Sequence, residues 1–440
     1  MVKKVIFVCA PGLPPLDMWL PILSSLRAKL PDADFVFLAP KAGPIRQLDL
    51  TSTLCTIAAP IFDKVIFPAH TGKWKQTNNF GDAKAVFDAG ALASGGRFLK
   101  RLGLAPLLRA PVKIAFRVFK TIFRAQPKVE CPLEALKDAE GVVLFDLFAA
   151  EIPYVADAIA GFKHMPKFSM LHGLNVLGLE AKPEIARTGL ATDNTTALIF
   201  SDREERLYRD KYGLEKGNIR VVGIPRHEER WIHYITSSYG EEKPALQNNS
   251  IFVISRGSDD HYFPRQRKVS GLRDVQEAAA ANNLHVVIKR HPKEADDGPY
   301  EEVFGGDNFG RTWSFSNAHA LVLGQHCLFA VSFYSGVAID MVRIGTPVIE
   351  RLDMKNLPKD ALLGSLENSS GNLVSPYRHL GLVLGASNSE EFHTHVENIF
   401  SDRSDVARGL MRNYRAIFPL IEGINDKIAL EIMSPSAQTV

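Results

Sequence analysis

The chain has 440 residues, more than one hydrophobic core usually fills, so two domains are expected. A hydrophobic fraction of 46% and a charged fraction of 23% are ordinary for a globular protein and exclude extensive disorder. The net charge of +3 gives no ground for a nucleic-acid partner, so any basic surface must be local.

The apolar run Val5-Ile6-Phe7-Val8 is cut at Pro11-Gly12, too soon for the apolar region of a signal peptide, and reads as a strand over residues 4–9. No run approaches the roughly 20 apolar residues that span a bilayer. A loop over 11–15, a helix over 16–29 and a strand over 35–38 follow, the β-α-β opening of a doubly wound parallel sheet. Ligands gather at the carboxyl ends of such strands, which places loop 11–15, and Asp17 just after it, beside a cleft. The DxD sequence Asp32-Ala33-Asp34 falls at the opposite, amino end of the second strand. Further strands are expected at 64–67, 141–145 and 166–171.

Between 98 and 128 the chain turns basic, and no Asp or Glu occurs from 89 through 129. Lys113, Arg117, Lys120 and Arg124 recur at the spacing of one helix face. Such a face suits an anionic membrane surface, where each basic residue contributes about 1 kcal/mol, or an anionic acceptor; the plainer alternative is a solvated surface helix.

A strand over 195–200 precedes Ser201 and Glu204, a capping box opening a helix that ends at Gly213. Strand 218–223 and a helix over 228–234 come next, and the polar stretch 237–249 reads as the interdomain linker. The β/α pattern then restarts with strands at 250–254, 285–289, 327–332 and 347–350 and helices at 267–281 and 336–344. The expected fold class is therefore α/β, two Rossmann-like doubly wound domains facing across a cleft, divided at 1–240 and 241–440. Cys9, Cys55, Cys131 and Cys327 show no metal-site spacing, and a reducing cytoplasm fits them.

Four places could carry chemistry. Leu171-His172-Gly173 ends a strand, so His172 is the first candidate for a general base, with Asp17 second and Asp146 competing; a satisfied loop histidine is the plainer reading. Gly223-Ile224-Pro225-Arg226 follows a strand at the junction, where Arg226 could reach a phosphate. Lys289-Arg290-His291-Pro292 puts three potential cations at a strand's carboxyl end, where a departing diphosphate needs charge. Ser332-Phe333-Tyr334-Ser335-Gly336 opens a helix whose amides suit a phosphate, and Asp340 could reach a ribose or donor hydroxyl, a helix-favouring surface acid being the plainer reading.

The order His172-Gly173, Gly223-x-Pro225-Arg226, Arg290-His291-Pro292, then Ser332-x-x-Ser335 with Asp340 and Gly345-x-Pro347 resembles the CDP-glycerol glycerophosphotransferases of teichoic-acid synthesis. It is also similar to the bacterial surface-polysaccharide and capsule glycosyltransferases of GT-B fold. The resemblance covers residues 165–350 and implies His172 as base, Arg290 and His291 as donor-phosphate binders and Ser335 at the phosphate-cradling helix start. It also implies catalysis without a metal. Leu174-Asn175 stands where that family has Thr-Pro, and Gly336 where it has a second serine, departures that favour a sugar donor.

The expected function is an inverting, metal-independent glycosyltransferase that uses a nucleotide-activated donor as substrate, with no cofactor. Its acceptor would be a surface glycan or a lipid-linked molecule, met in the cytoplasm or on the inner face of the plasma membrane. The alternatives are a CDP-glycerol-type polyol-phosphate transferase, a UDP-sugar 2-epimerase, and a lectin-like protein without turnover.

Overall fold

The computed structural model describes residues 2–434 apart from 10–11, 49–51, 69–73, 94–135, 137–139, 148–151, 174–193, 239–248, 259–262, 292–293, 295, 356, 358–365 and 368–370. The basic stretch carrying Lys113, Arg117, Lys120 and Arg124 lies outside the described residues.

Two parallel sheets organise the chain. The first holds β1 (Lys4–Val8), β2 (Asp34–Leu38), β3 (Lys64–Pro68), β4 (Trp74–Thr77), β5 (Gly141–Phe145), β6 (Lys167–Ser169), β7 (Thr195–Ile199) and β8 (Ile219–Val221). Their order is β4-β3-β2-β1-β5-β6-β7-β8, with only the β3–β4 pair antiparallel. The second holds β9 (Ser250–Ile254), β10 (His285–Lys289), β11 (Trp313–Phe315), β12 (Phe329–Ser332) and β13 (Val348–Arg351). The pair β14 (Leu366–Glu367) and β15 (Leu373–Val374) forms a separate ribbon, and β16 (Leu384–Ala386) completes the second sheet in the order β11-β10-β9-β12-β13-β16. Each half is thus Rossmann-like, as the apolar β/α alternation predicts.

The central strands explain themselves chemically. Val5 to Val8 and Ile251 to Val253 are fully buried, as strands covered by helices on both faces must be. Phe7 packs against Phe37, Phe62 and Trp19, which fixes the helix after β1 onto the sheet. Burying each such side chain contributes on the order of 1.5–3 kcal/mol.

In both sheets the chain builds outward from the middle and then crosses to the other side. The reversal falls between β1 and β5 in the first sheet and between β9 and β12 in the second. Loops leaving those strands diverge at their carboxyl ends and open a crevice.

The helices that matter to that crevice are α1 (Pro14–Lys29), α2 (Glu205–Tyr212), α3 (Glu229–Ser238), α4 (Arg265–Ala281), α5 (Ala320–Gln325), α6 (Val337–Arg343), α7 (Ser389–Ile417) and α8 (Ile424–Met433). The expected boundary at 240/241 falls in residues outside the description. After α7 the chain returns through Phe418 and Pro419, and α8 packs on α1, where Asp426 pairs with Lys29 at 3.0 Å. The last helix therefore serves the first half, a crossing that the sequence pattern does not reveal.

Local expectations shift in detail. Ser201 makes no capping bond; the Glu204 carboxylate accepts instead from the Phe200 amide at 2.9 Å, and a short 3-10 turn precedes α2. Gly213 ends α2 with φ +65°, as a left-handed stop requires. Asp34 opens β2 at the amino end of the sheet, where Lys64 holds it at 2.6 Å and Lys4 at 3.6 Å. Among the described residues no helix is long and apolar enough to cross a membrane.

Candidate active site

In the first half, β5 delivers Asp146 and β6 leads to His172. Phe145 and Ser169 are register partners on these adjacent parallel strands, so their carboxyl-end loops lie side by side. Asp146 is fully buried, and its Oδ2 accepts from both the His172 backbone N–H and ring Nδ1, each at 2.7 Å. A carboxylate acceptor at Nδ1 puts the ring proton there and makes Nε2 the basic nitrogen. The His172 side chain is 32% exposed, enough for contact with a ligand.

Asp17, in the first turn of α1, faces a different setting. One carboxylate oxygen accepts from Arg226 at 3.0 Å and the other from His319 Nε2 at 3.1 Å. Burial alone would raise this carboxyl, but its interactions with His319, Arg226 and Lys289 outweigh it and hold the group well below the usual carboxylate range. A carboxylate so held is a partner for cations and a weak proton acceptor, so the expectation of a base at Asp17 gives way.

Arg226 and Asp340 are corrected on the same grounds. Arg226 is 6% exposed and spends its guanidinium on Asp17 and, through Nε at 2.9 Å, on Asp340. Asp340 also accepts from His227 Nε2 at 2.6 Å, while His227 Nδ1 meets the Tyr414 hydroxyl at 2.8 Å. Burial lowers the His227 pKa against the opposing pull of Asp340. These groups form a buried chain of charge at the junction of the halves, within which both Arg226 and Asp340 are engaged.

At the end of β10 the three cations part company. Lys289 donates to the carbonyls of Ala318 at 2.7 Å and Asn317 at 3.3 Å. Burial brings its pKa down to about 8, against the pull of Asp17. Arg290 turns instead to Asp297, which accepts at 2.8 and 2.9 Å, and stacks over Phe315 with 4.2 Å to the ring centre. The pair is partly exposed, at 38% and 39%, and a surface pair of this kind contributes only about 0–1 kcal/mol, so it does not take Arg290 out of reach of a phosphate. The His291 amide donates to Glu294 at 3.3 Å, and Glu294 in turn accepts from Ser255 and Tyr300 and pairs with buried Lys268. One carboxylate thus fastens the loops after β9 and β10 together.

The turn after β12 is built tightly. Ser332 Oγ accepts from the Ser335 amide at 3.2 Å, so this buried serine shapes the turn from within. Ser335 Oγ reaches the Val337 amide only at 3.4 Å, and Gly336 occupies the cap position of α6. Tyr334 between them has φ +65°, a conformation costly for a bulky side chain. Arg256, two residues past β9, donates to the Tyr334 carbonyl at 2.6 Å and lies over its ring.

His319, His227, Arg256, Tyr334 and the Lys268–Glu294 pair were not singled out from the sequence. A signal existed only for His319, which precedes the apolar run Ala320–Leu323 at a helix start but is not one of the usual capping residues.

The two sheets present their strand-end loops to a shared crevice, which defines a GT-B fold of two Rossmann-like halves. No family model and no curated protein matches the sequence. Solved structures do match in fold. The UDP-GlcNAc 2-epimerase of Neisseria meningitidis bound to UDP-GlcNAc has a TM-score of 0.56 at 14% identity, over 98% of this chain and 100% of that one. The Methanocaldococcus jannaschii UDP-GlcNAc 2-epimerase with UDP-GlcNAc and UDP has a TM-score of 0.56 at 12% identity, over 99% and 100%. The wall teichoic acid polymerase TagF follows with a TM-score of 0.50 at 10% identity, over 98% and 89%.

Proposed function

We propose that the protein is a glycosyltransferase that moves a sugar from a nucleotide-activated donor to a glycan or lipid-linked acceptor. The observation that carries this reading is the His172–Asp146 pair, a base oriented by a buried carboxylate at a strand end of the first half. His172 Nε2 takes the proton of an acceptor hydroxyl, whose oxygen attacks the anomeric carbon. The bond from that carbon to the phosphate oxygen breaks, and the diphosphate leaves beside Lys289 and the amides of the turn 332–336. Attack from the face opposite the leaving group inverts the anomeric centre. Two solved structures of the same fold hold UDP-GlcNAc, which makes a UDP-sugar the first donor to try.

The chemistry as written calls for no metal, and the Asp32-Ala33-Asp34 sequence supports this by position. Asp34 stands at the amino end of the sheet with two lysines on it.

A second reading, a UDP-sugar 2-epimerase, draws on the likeness in fold to the epimerases at TM-scores of 0.55–0.56. An epimerase needs carboxylates addressing the sugar, whereas the Asp17 and Asp340 carboxylates at the junction are each engaged by two cationic or imidazole partners. Incubation with UDP-GlcNAc in heavy water separates the readings. A transferase releases UDP and leaves C2 of the remaining donor protiated, while an epimerase incorporates deuterium at C2. A parallel incubation with CDP-glycerol tests the polyol-phosphate alternative by release of CMP. Deuterium at C2 without net UDP release would overturn the transferase reading.

A further inference from the structure

Among the described residues the two halves touch at several places. Arg226 and His227 reach Asp340 from the junction segment itself, a few residues from Gly223, whose backbone lies against Pro419 where the chain returns. The helices α3 and α5 also pack on one another beside that segment. The contact of Asp17 with His319 is different. It joins α1 of the first half to the loop between β11 and α5 of the second, across 302 residues of chain.

That contact is built to open at small cost. His319 is 8% exposed and is already fixed by its own helix, because its Nδ1 accepts from the Leu321 amide at 3.3 Å and caps α5. An acceptor role at Nδ1 leaves Nε2 to carry the proton that is donated to Asp17. When the contact parts, His319 keeps its cap and Asp17 keeps Arg226 at 3.0 Å, so no buried carboxylate is stranded. Lys289 donates to the carbonyls of Asn317 and Ala318, the two residues before His319, so the position of this loop is also the position of that cation.

We propose that His319 is a positioning residue: by holding Asp17 across the cleft it sets the distance between the His172 half and the donor half. The catalytic consequence rests on the transferase reading above, whereas the structural consequence does not.

The two ring nitrogens can be tested separately. His319→Asn puts an oxygen near the place of Nδ1 and keeps the cap, but is too short to reach Asp17. His319→Gln puts an amide nitrogen near the place of Nε2 and keeps the cross-cleft bond, but gives up the cap. On the full chain, three readouts are compared: the radius of gyration by small-angle scattering, amide exchange at 319–323, and donor turnover with UDP affinity measured alongside. For His319→Asn the expected result is wild-type exchange at 319–323, a larger radius of gyration and unchanged UDP affinity. Its kcat should fall roughly 10- to 100-fold, the size of effect that misplacement of the reacting groups produces. For His319→Gln the expected result is faster exchange at Leu321 with near wild-type scattering and kcat. His319→Asn with wild-type scattering would overturn the proposal, and so would a His319→Gln protein that loses kcat as severely as His319→Asn. If the wild-type chain turns over no donor, the transferase reading fails, and scattering together with exchange still decides the role of His319.

Discussion

Asp146 Oδ2 receives two hydrogen bonds from one residue, the backbone N–H and the ring Nδ1 of His172, each at 2.7 Å. A single buried oxygen therefore fixes where the imidazole sits and which nitrogen carries its proton. Asp146→Asn tests this directly, because an amide can donate to Nδ1 and so favours the tautomer with the proton on Nε2. The expected loss is roughly 10²- to 10⁴-fold in kcat, the contribution that general acid–base catalysis typically makes. Donor affinity, measured by calorimetry with UDP, should stay within a few-fold of wild type. An equal loss in both would place the pair in donor binding rather than proton transfer.

Lys289 predicts a pH dependence. Its pKa of about 8 means that the ammonium charge available to a diphosphate declines above that pH. UDP affinity should therefore weaken as pH rises from 8 toward 10, by up to tenfold per unit, and Lys289→Met should bind weakly with no such slope. The effect on stability has the opposite sense. The folded pKa lies below the ordinary lysine value of 10.5, so the unfolded chain binds more protons between about 8 and 10.5. This group alone makes the ligand-free protein more stable as pH rises through that window, read by urea denaturation as an upward trend that Lys289→Met abolishes.

The glycines at 213 and 223 form an internal comparison. Both have positive φ, +65° and +70°. A Cβ at 213 would meet nothing within 4 Å, whereas one at 223 would lie 2.5 Å from the Pro419 carbonyl oxygen. Gly213→Ala should therefore cost only the left-handed penalty of about 1–2 kcal/mol. Gly223→Ala should cost distinctly more, since backbone must move to admit it. Chemical denaturation of the two variants side by side checks this, and equal losses would mean that the crossing at Pro419 yields easily.

The fold was largely readable because its strongest signals are local. Val5 to Val8 and Ile251 to Ile254 are continuous apolar runs, and each is followed by a helical period. β11 escaped notice because three residues, Trp313–Phe315, are too few to show a period. The site was readable only in part, for a related reason. Strand-end position picked out His172, Asp17 and Lys289, but not what each would touch. Asp17 meets His319 302 residues away, and Arg226 meets Asp340 114 residues away, so their partners depend on how the halves meet. Arg290 shows the converse, since its neutralising partner Asp297 stands only seven residues on. Deciding between solvent, ligand and Asp297 required the turn geometry that folds one back onto the other. The positive φ at Tyr334 had no sequence signal, because neither glycine nor asparagine occupies the position.

The buried chain at the junction makes the protein sensitive to acid. His227 has its pKa lowered by burial, and the cations around Asp17 outweigh burial to lower that carboxyl too. In both cases the folded state binds fewer protons than the unfolded state, so both contribute stability that is lost as pH falls. The His227 contribution is complete above its unfolded value of about 6.5 and declines below it, while that of Asp17 declines only below about 4. Replacing His227 with Gln, which cannot titrate, should flatten the fall in melting temperature that begins below pH 6.5 while leaving the steeper fall below pH 4. Removing Arg226 acts at every pH, because it takes the one guanidinium from two carboxylates at once and leaves Asp17 with His319 and Asp340 with His227. Arg226→Met should cost about 3–5 kcal/mol at pH 7, the penalty for breaking a buried pair from one side. Protonating these carboxylates would relieve part of that cost, so the gap between Arg226→Met and wild type should narrow toward pH 4. A gap that stays constant with pH would show that Arg226 stabilises the junction by packing rather than by its charge.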